Sequence, residues 1–172
     1  MIYDIVQYPN DILHNISEPV TSVDNEIIEL VNNMKETMID ANGIGLSAIQ
    51  IGVAKRIFVM DAFTSSSAFK DKNNSDDIKV FINPEIIATV GSIDSEEGCL
   101  SVQGIYAKVV RASEIQVKYQ DQYSNQLLSK FTGIEAICIQ HEIDHLNGIV
   151  FVEKLSRLKQ NLILTKIKNN LK

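Results

Sequence analysis

The hexapeptide QHEIDH, residues 140–145, constrains this chain more than any other stretch. It contains His-Glu-x-x-His, the pattern with which zinc peptidases hold a metal ion. Residues four apart lie one above the other only on a helix, so His141 and His145 can aim two ring nitrogens at one ion only if this segment is helical. Glu142 sits beside the first of them and can reach a water at the ion without being a ligand. The chain has only three histidines, and two of them fall in this spacing. The sequence therefore predicts a helix over 134–147. Ile134, Ile137, Cys138, His141 and His145 share one of its faces, and Gly148 is its stop.

Two histidines make half a site, and what completes them decides the chemistry. A peptidase of the thermolysin type takes a Glu from farther downstream, and a metzincin takes a later His. Beyond His145 there is no further His, and the one acidic residue, Glu153, lies past the Asn147-Gly148 break. The third ligand is therefore expected from upstream, with His14, an acidic residue or a cysteine as candidates. EEGCLS at 96–101 is the better choice, because Cys99 follows a glycine where the backbone can turn tightly. A thiolate is a soft, negative donor that suits Fe(II), Zn(II), Co(II) or Ni(II) over Mg or Ca. Three protein ligands leave a fourth position open, the mark of a catalytic ion. Cys138, three residues before His141 on the same face, reads as packing that lines the site wall.

The rest of the chain predicts an α+β domain with antiparallel strands around that metal-binding helix, an N-terminal helix and a C-terminal helix. At 172 residues, with 45% apolar and 22% charged side chains, it is long enough for one buried core, and a single catalytic domain over 1–172 is expected. Residues 24–41 carry an apolar stripe of Ile27, Ile28, Val31, Met34 and Met38, with Asp24 as N-cap and Asn42-Gly43 as terminator. Strands are expected at Ile44–Ile51, Arg56–Met60, Val80–Asn83, Ile86–Val90, Tyr106–Val110, Ile115–Tyr119 and Gln126–Phe131, punctuated by turn signals such as Asn83-Pro84. The polar stretch 64–77 reads as a surface loop. A third helix, about 156–170, is basic: after Glu153 the chain has six Lys and Arg and no acid, so residues 1–153 carry −12 of a net −6. No apolar run approaches the ~20 residues that span a bilayer. The opening MIYDIVQYPN has neither a basic region followed by an apolar stretch nor Arg-rich amphipathic character, so a cytoplasmic location with free thiols at Cys99 and Cys138 is expected.

GIGLSAIQ at 43–50, EEGCLS at 96–101 and QHEIDH at 140–145, in this order, resemble the three signature motifs of the peptide deformylases. The opening YPNDILHNISEPV, the first helix, FINPE at 81–85 and the terminal helix extend the likeness over nearly the whole chain. The resemblance implies removal of the formyl group from the N-terminal formylmethionine of nascent polypeptides. It implies that Cys99, His141 and His145 bind one divalent ion, natively Fe(II), with Zn(II), Ni(II) or Co(II) as substitutes. Glu142 would then shuttle the proton, while the Gln50 side-chain amide and the Leu100 backbone N–H stabilise the oxyanion. The backbone of Ile44, Gly45 and Gly98 would hold the peptide, and Ile44, Ile134, Ile137 and Cys138, with Glu97 and His141 at the rim, would receive the methionine side chain. Asp144 would orient the site.

The chain departs from the family pattern at Ser47 and Ile49, where Ala and Pro are common, and at Gln103 and Tyr106, where Pro and a peptide-contacting Arg are common. In bacterial members the terminal helix docks on the ribosome near the tunnel exit, which gives the basic tail of this bacterial-type chain an rRNA partner. Neither a membrane nor DNA is expected. Two other functions fit parts of the pattern: a general metallopeptidase, and a metal-binding, ribosome-associated module without activity.

Overall fold

Asp24 starts the first helix by accepting a hydrogen bond from the Ile27 N–H at 3.0 Å, so that α1 runs Asn25–Asp40. In this computed structural model, which describes residues 1–61 and 78–170, three α-helices frame a five-stranded antiparallel sheet and a separate hairpin. The strands are β1 (Gly45–Ser47), β2 (Ile57–Met60), β3 (Lys79–Val90), β4 (Ile93–Cys99), β5 (Val102–Arg111), β6 (Glu114–Gln120) and β7 (Gln126–Thr132). The main sheet has the order β1-β2-β3-β6-β7, and β4 pairs with β5 alone. α2 spans Gly133–Leu146 and α3 spans Arg157–Asn170. The expected loop at 64–77 lies outside the described residues.

The unbroken apolar run of β2 shows how the layers stack. Side chains alternate between the faces of a strand. Phe58 and Met60 join the cluster of Phe81, Val117, Phe131, Ile139 and Leu146 under α2. Ile57 and Val59 join that of Val31, Met34 and Met38 on α1. β2 is therefore buried on both faces, with α1 on one side of the sheet and α2 on the other. Phe81 anchors the α2 side, stacked on Phe58 at 4.4 Å between ring centroids and tilted against Tyr119 at the same distance. A third cluster gathers Tyr8, Leu13, Val102, Ile105, Val109 and Phe151, with Ile163, Leu164 and Ile167 of α3 against it.

Three strand expectations need correction. The segment Ile44–Ile51 is a strand only over Gly45–Ser47 and then tightens into a 3-10 turn at Ala48–Ile51. The cause is local: the Ser47 N–H donates to Gln50 Oε1 rather than to a strand. Val80–Asn83 and Ile86–Val90 are one strand, β3, because Asn83-Pro84 makes a bulge instead of a turn. Asn83 takes φ 51, its side chain binds the Val20 N–H and C=O, and the register against β6 shifts there. β4 has no counterpart among the expected strands. Its acidic sequence IDSEEGC is poor in β-formers, and it is held by pairing with β5, where Glu96 stands opposite Lys108.

Candidate metal centre and peptide cleft

α2 carries both histidines on its buried side, so their rings face the interior rather than solvent. The third donor arrives from the hairpin: Cys99 ends β4 opposite Val102 of β5, and Leu100-Ser101 is the turn. Cys99 Sγ lies 3.2 Å from His145 Nε2, and the two Nε2 atoms lie 3.2 Å apart. Ligand atoms of these three residues all fall within 4.8 Å of one another. A tetrahedral ion with ordinary Zn–N and Zn–S bonds separates its ligand atoms by about 3.3–3.6 Å, so the donors are spaced for one ion. His14, the other histidine considered upstream, is instead paired with Glu153 at 2.8 Å.

The second nitrogen of His141 fixes its tautomer. Nδ1 is 2.9 Å from Glu97 Oε2, which leaves Nε2 aimed at the shared point. Both Glu97 oxygens are engaged, because Arg111 donates to Oε1 at 2.6 Å and to Oε2 at 2.8 Å. Arg111 also donates to Asp144, which pairs with Lys154 at 3.0 Å. Burial acts to raise the Glu97 carboxyl, but hydrogen bonds from Arg111 and His141 outweigh it and hold it down at about 2. Burial also works against the His141 cation, yet hydrogen bonds to Cys99 and Glu97 raise that imidazole to about 10. His145, equally buried beside His141, is pushed well down. A cation held at this point would take the place of the His141 proton. Among the described residues, His145 Nδ1 and Glu142 Oε2 are buried without a protein partner. The donor set, its spacing and the carboxylate behind His141 fit a divalent transition ion.

Burial raises the Glu142 carboxyl to about 7, against the lowering influence of the neighbouring His141. A carboxyl in that range can take and return a proton near neutral pH. Gly45 lets this helix approach the sheet edge: a Cβ there would collide with Glu142 Oε1 and lie 2.8 Å from Cys138 Sγ. Cys138 is buried beneath it, its sulfur 3.7 Å from the Ile44 carbonyl, and burial raises its thiol pKa. It makes wall, as expected from its place on α2.

Gln50 is 1% exposed, and its amide has one possible orientation. Oε1 accepts from the Ser47 N–H and the Ser47 hydroxyl, each at 2.8 Å, and a backbone N–H cannot face the amide nitrogen. Nε2 therefore points to Ser101 Oγ at 3.1 Å and to Cys99 Sγ at 3.5 Å. The 3-10 turn and the Leu100-Ser101 turn thus meet across the donor cluster.

A cavity of about 530 Å³ opens here. Ile44, Gly45, Gln50, Glu97, Gly98, Cys99, Leu100, Ile134, Ile137, Cys138, His141 and Glu142 line it, while His145 does not. Glu97 reaches it with its stem, since its carboxylate is committed to Arg111 and His141. Gln103 and Tyr106 are also on the wall, with the exposed Tyr106 ring laid against Gly98. The residues that sequence reasoning missed are Arg111, 4% exposed, and Ser101, fully buried. Ser101 closes EEGCLS, but nothing in that stretch points to its partner Gln50; Arg111 lies in no motif, and only the pairing of β4 with β5 brings it to Glu97.

Comparison with known proteins agrees with this geometry. The family model described as polypeptide deformylase matches residues 2–161. A peptide deformylase of Chromobacterium violaceum is 45% identical over 97% of this chain and 95% of its own length. That of Neisseria gonorrhoeae is 44% identical over 99% and 97%. The crystal structure of a Legionella pneumophila peptide deformylase superposes with a TM-score of 0.88 at 39% identity, covering 98% of this chain and 95% of that one. The Ehrlichia chaffeensis enzyme in complex with actinonin gives 0.89 at 39% identity, over 98% and 97%. With a family model along most of its length and relatives of this closeness, the chain belongs to the polypeptide deformylase family.

Proposed function

We propose that this chain, acting as a single catalytic domain, hydrolyses the formamide of N-formylmethionine at the start of nascent polypeptides and releases formate. One observation carries the reading: Cys99, His141 and His145 converge on one point, with Glu142 and the Gln50 amide beside it on the wall of an open cavity. Cys99, His141 and His145 would hold the ion, Fe(II) in the cell with Zn(II), Ni(II) or Co(II) as substitutes, and when bound it would lower the pKa of water to about 7 and polarise a carbonyl. Glu142 accepts the proton of the attacking water and returns it to the departing amine. The Gln50 Nε2–H and the Leu100 N–H donate to the oxygen as it gains charge, each such donor being worth ~10²–10³ in rate. β1 is an edge strand of its sheet, so its backbone can add an extended peptide as a further strand. The methionine side chain enters between Ile44, Ile134, Ile137 and Cys138, an apolar part of the cavity wall.

The same fold explains why a general peptidase is the weaker reading. Beyond α2 the chain supplies no further ligand, and Glu153 is held by His14 and the Val150 N–H. Exposed Arg157, Lys159, Lys166 and Lys168 on α3 support docking on ribosomal RNA in the cytoplasm. Among the described residues no helix is long and apolar enough to cross a membrane. The test is an anaerobic assay with formyl-Met-Ala-Ser, its unformylated analogue and an internal-bond analogue, scoring formate and free amine. Formate from the first substrate alone supports the reading, and internal cleavage overturns it.

A further inference from the structure

The Ser47 hydroxyl is fully buried and contributes nothing to the sheet, so its position asks for a reason. It donates to Gln50 Oε1 at 2.8 Å, and the Ser47 N–H donates to the same oxygen. Both lone pairs of that oxygen are then used. At the other end of the amide, one Nε2 hydrogen goes to Ser101 Oγ at 3.1 Å. An amide has four hydrogen-bonding positions, and three are filled by two serines. The remaining N–H donates to Cys99 Sγ at 3.5 Å, a weak acceptor on the cavity wall.

We propose that Ser47 is a positioning residue, holding the Gln50 amide so that the N–H resting on Cys99 Sγ stays beside the cavity, placed to turn to the reacting oxygen as that oxygen gains charge. An alanine at this position would keep the backbone N–H bond but leave one lone pair unsatisfied in a buried site. The amide plane could then rock about its last torsion, which is broad for Gln. The donor would be less often in line when charge develops, while the peptide, held by backbone and by the apolar pocket, would bind as before. Ser47 thus acts on turnover rather than on binding. The inference rests on the assignment of Gln50 as an oxyanion donor.

A double-mutant cycle tests it in the metal-loaded enzyme, with kcat and KM for formyl-Met-Ala-Ser and metal content measured for each variant. Ser47→Ala is smaller than the native residue and preserves the packing, so fold and metal content are unchanged. A buried neutral hydrogen bond of typical net value translates to a loss of about threefold to tenfold in kcat, with KM unchanged. In a Gln50→Ala background the same Ser47→Ala change has no further effect, because there is no amide left to hold. Losses that multiply, a change in KM with kcat intact, or full activity of Ser47→Ala would each overturn the role. Full activity of Gln50→Ala alone would overturn both the role and the assignment of Gln50, and it is read separately from the cycle.

Discussion

At Glu142, the burial that closes the site also sets the base. Its carboxyl stands near 7 chiefly through desolvation, and a cation at the adjacent donors lowers it. Because the proposed mechanism needs the carboxylate, kcat/KM should fall as the pH drops, along a limb with an apparent pKa at or below about 7. A limb that rises toward acid would assign the proton chemistry elsewhere. Glu142→Gln should keep full metal content and lose ~10²-fold or more in kcat. Cys99→Ala should lose the ion, and a Cys99→Ala protein that keeps both metal and activity would refute the donor set. Arg111 is the opposite case, a residue with no chemistry of its own. It makes two hydrogen bonds to buried Glu97 and reaches Asp144, so Arg111→Ala should destabilise the fold by about 3–5 kcal/mol, read as a lowered denaturant midpoint. Sequence showed the donors because their spacing on one helix is a local property. It did not show Arg111, whose meaning depends on a hairpin partner fourteen residues away.

Elements matter here through what they hold at their ends. α2 was legible because its pattern is long and stops at Gly148, and its close approach to β1 is permitted by Gly45. Gly45→Ala should therefore push Glu142 and Cys138 aside, costing about 1–3 kcal/mol of stability, with a loss of turnover that exceeds any loss of metal. The 3-10 turn at Ala48–Ile51 was missed because a buried side-chain bond from Ser47 replaces a strand ladder. β4 was missed because its own residues do not favour a strand and only tertiary pairing makes it one. α3 was legible in place and charge, but its apolar side packs against Val102, Ile105 and Phe151. Removal of residues 157–172 would thus cost stability as well as charge. Lys159→Glu with Lys166→Glu and Lys168→Glu, all exposed, is the cleaner test: salt-sensitive ribosome binding should weaken while cleavage of short peptides is unchanged.

For the whole molecule, the sheet is a partition with α1 filling one side and α2 presenting the donors from the other, while the β4–β5 hairpin delivers Cys99. Three segments distant in sequence meet only when all these layers are in place, so an ion that binds there stabilises the complete fold. Stripping it with a chelator should lower the melting temperature, and restoring Fe(II), Ni(II) or Zn(II) should raise it again. The α+β class and the order of the three motifs were readable from periodicity and resemblance; the two-faced burial of β2 explains why its run IFVM shows no alternation. The central claim is the reaction itself. Metal-loaded protein, prepared without oxygen and given formyl-Met-Ala-Ser, should release one formate for each free amine that appears, and the Glu142→Gln protein with equal metal content should release it ~10²-fold or more slowly. A metal-loaded native protein that yields no formate would contradict the account.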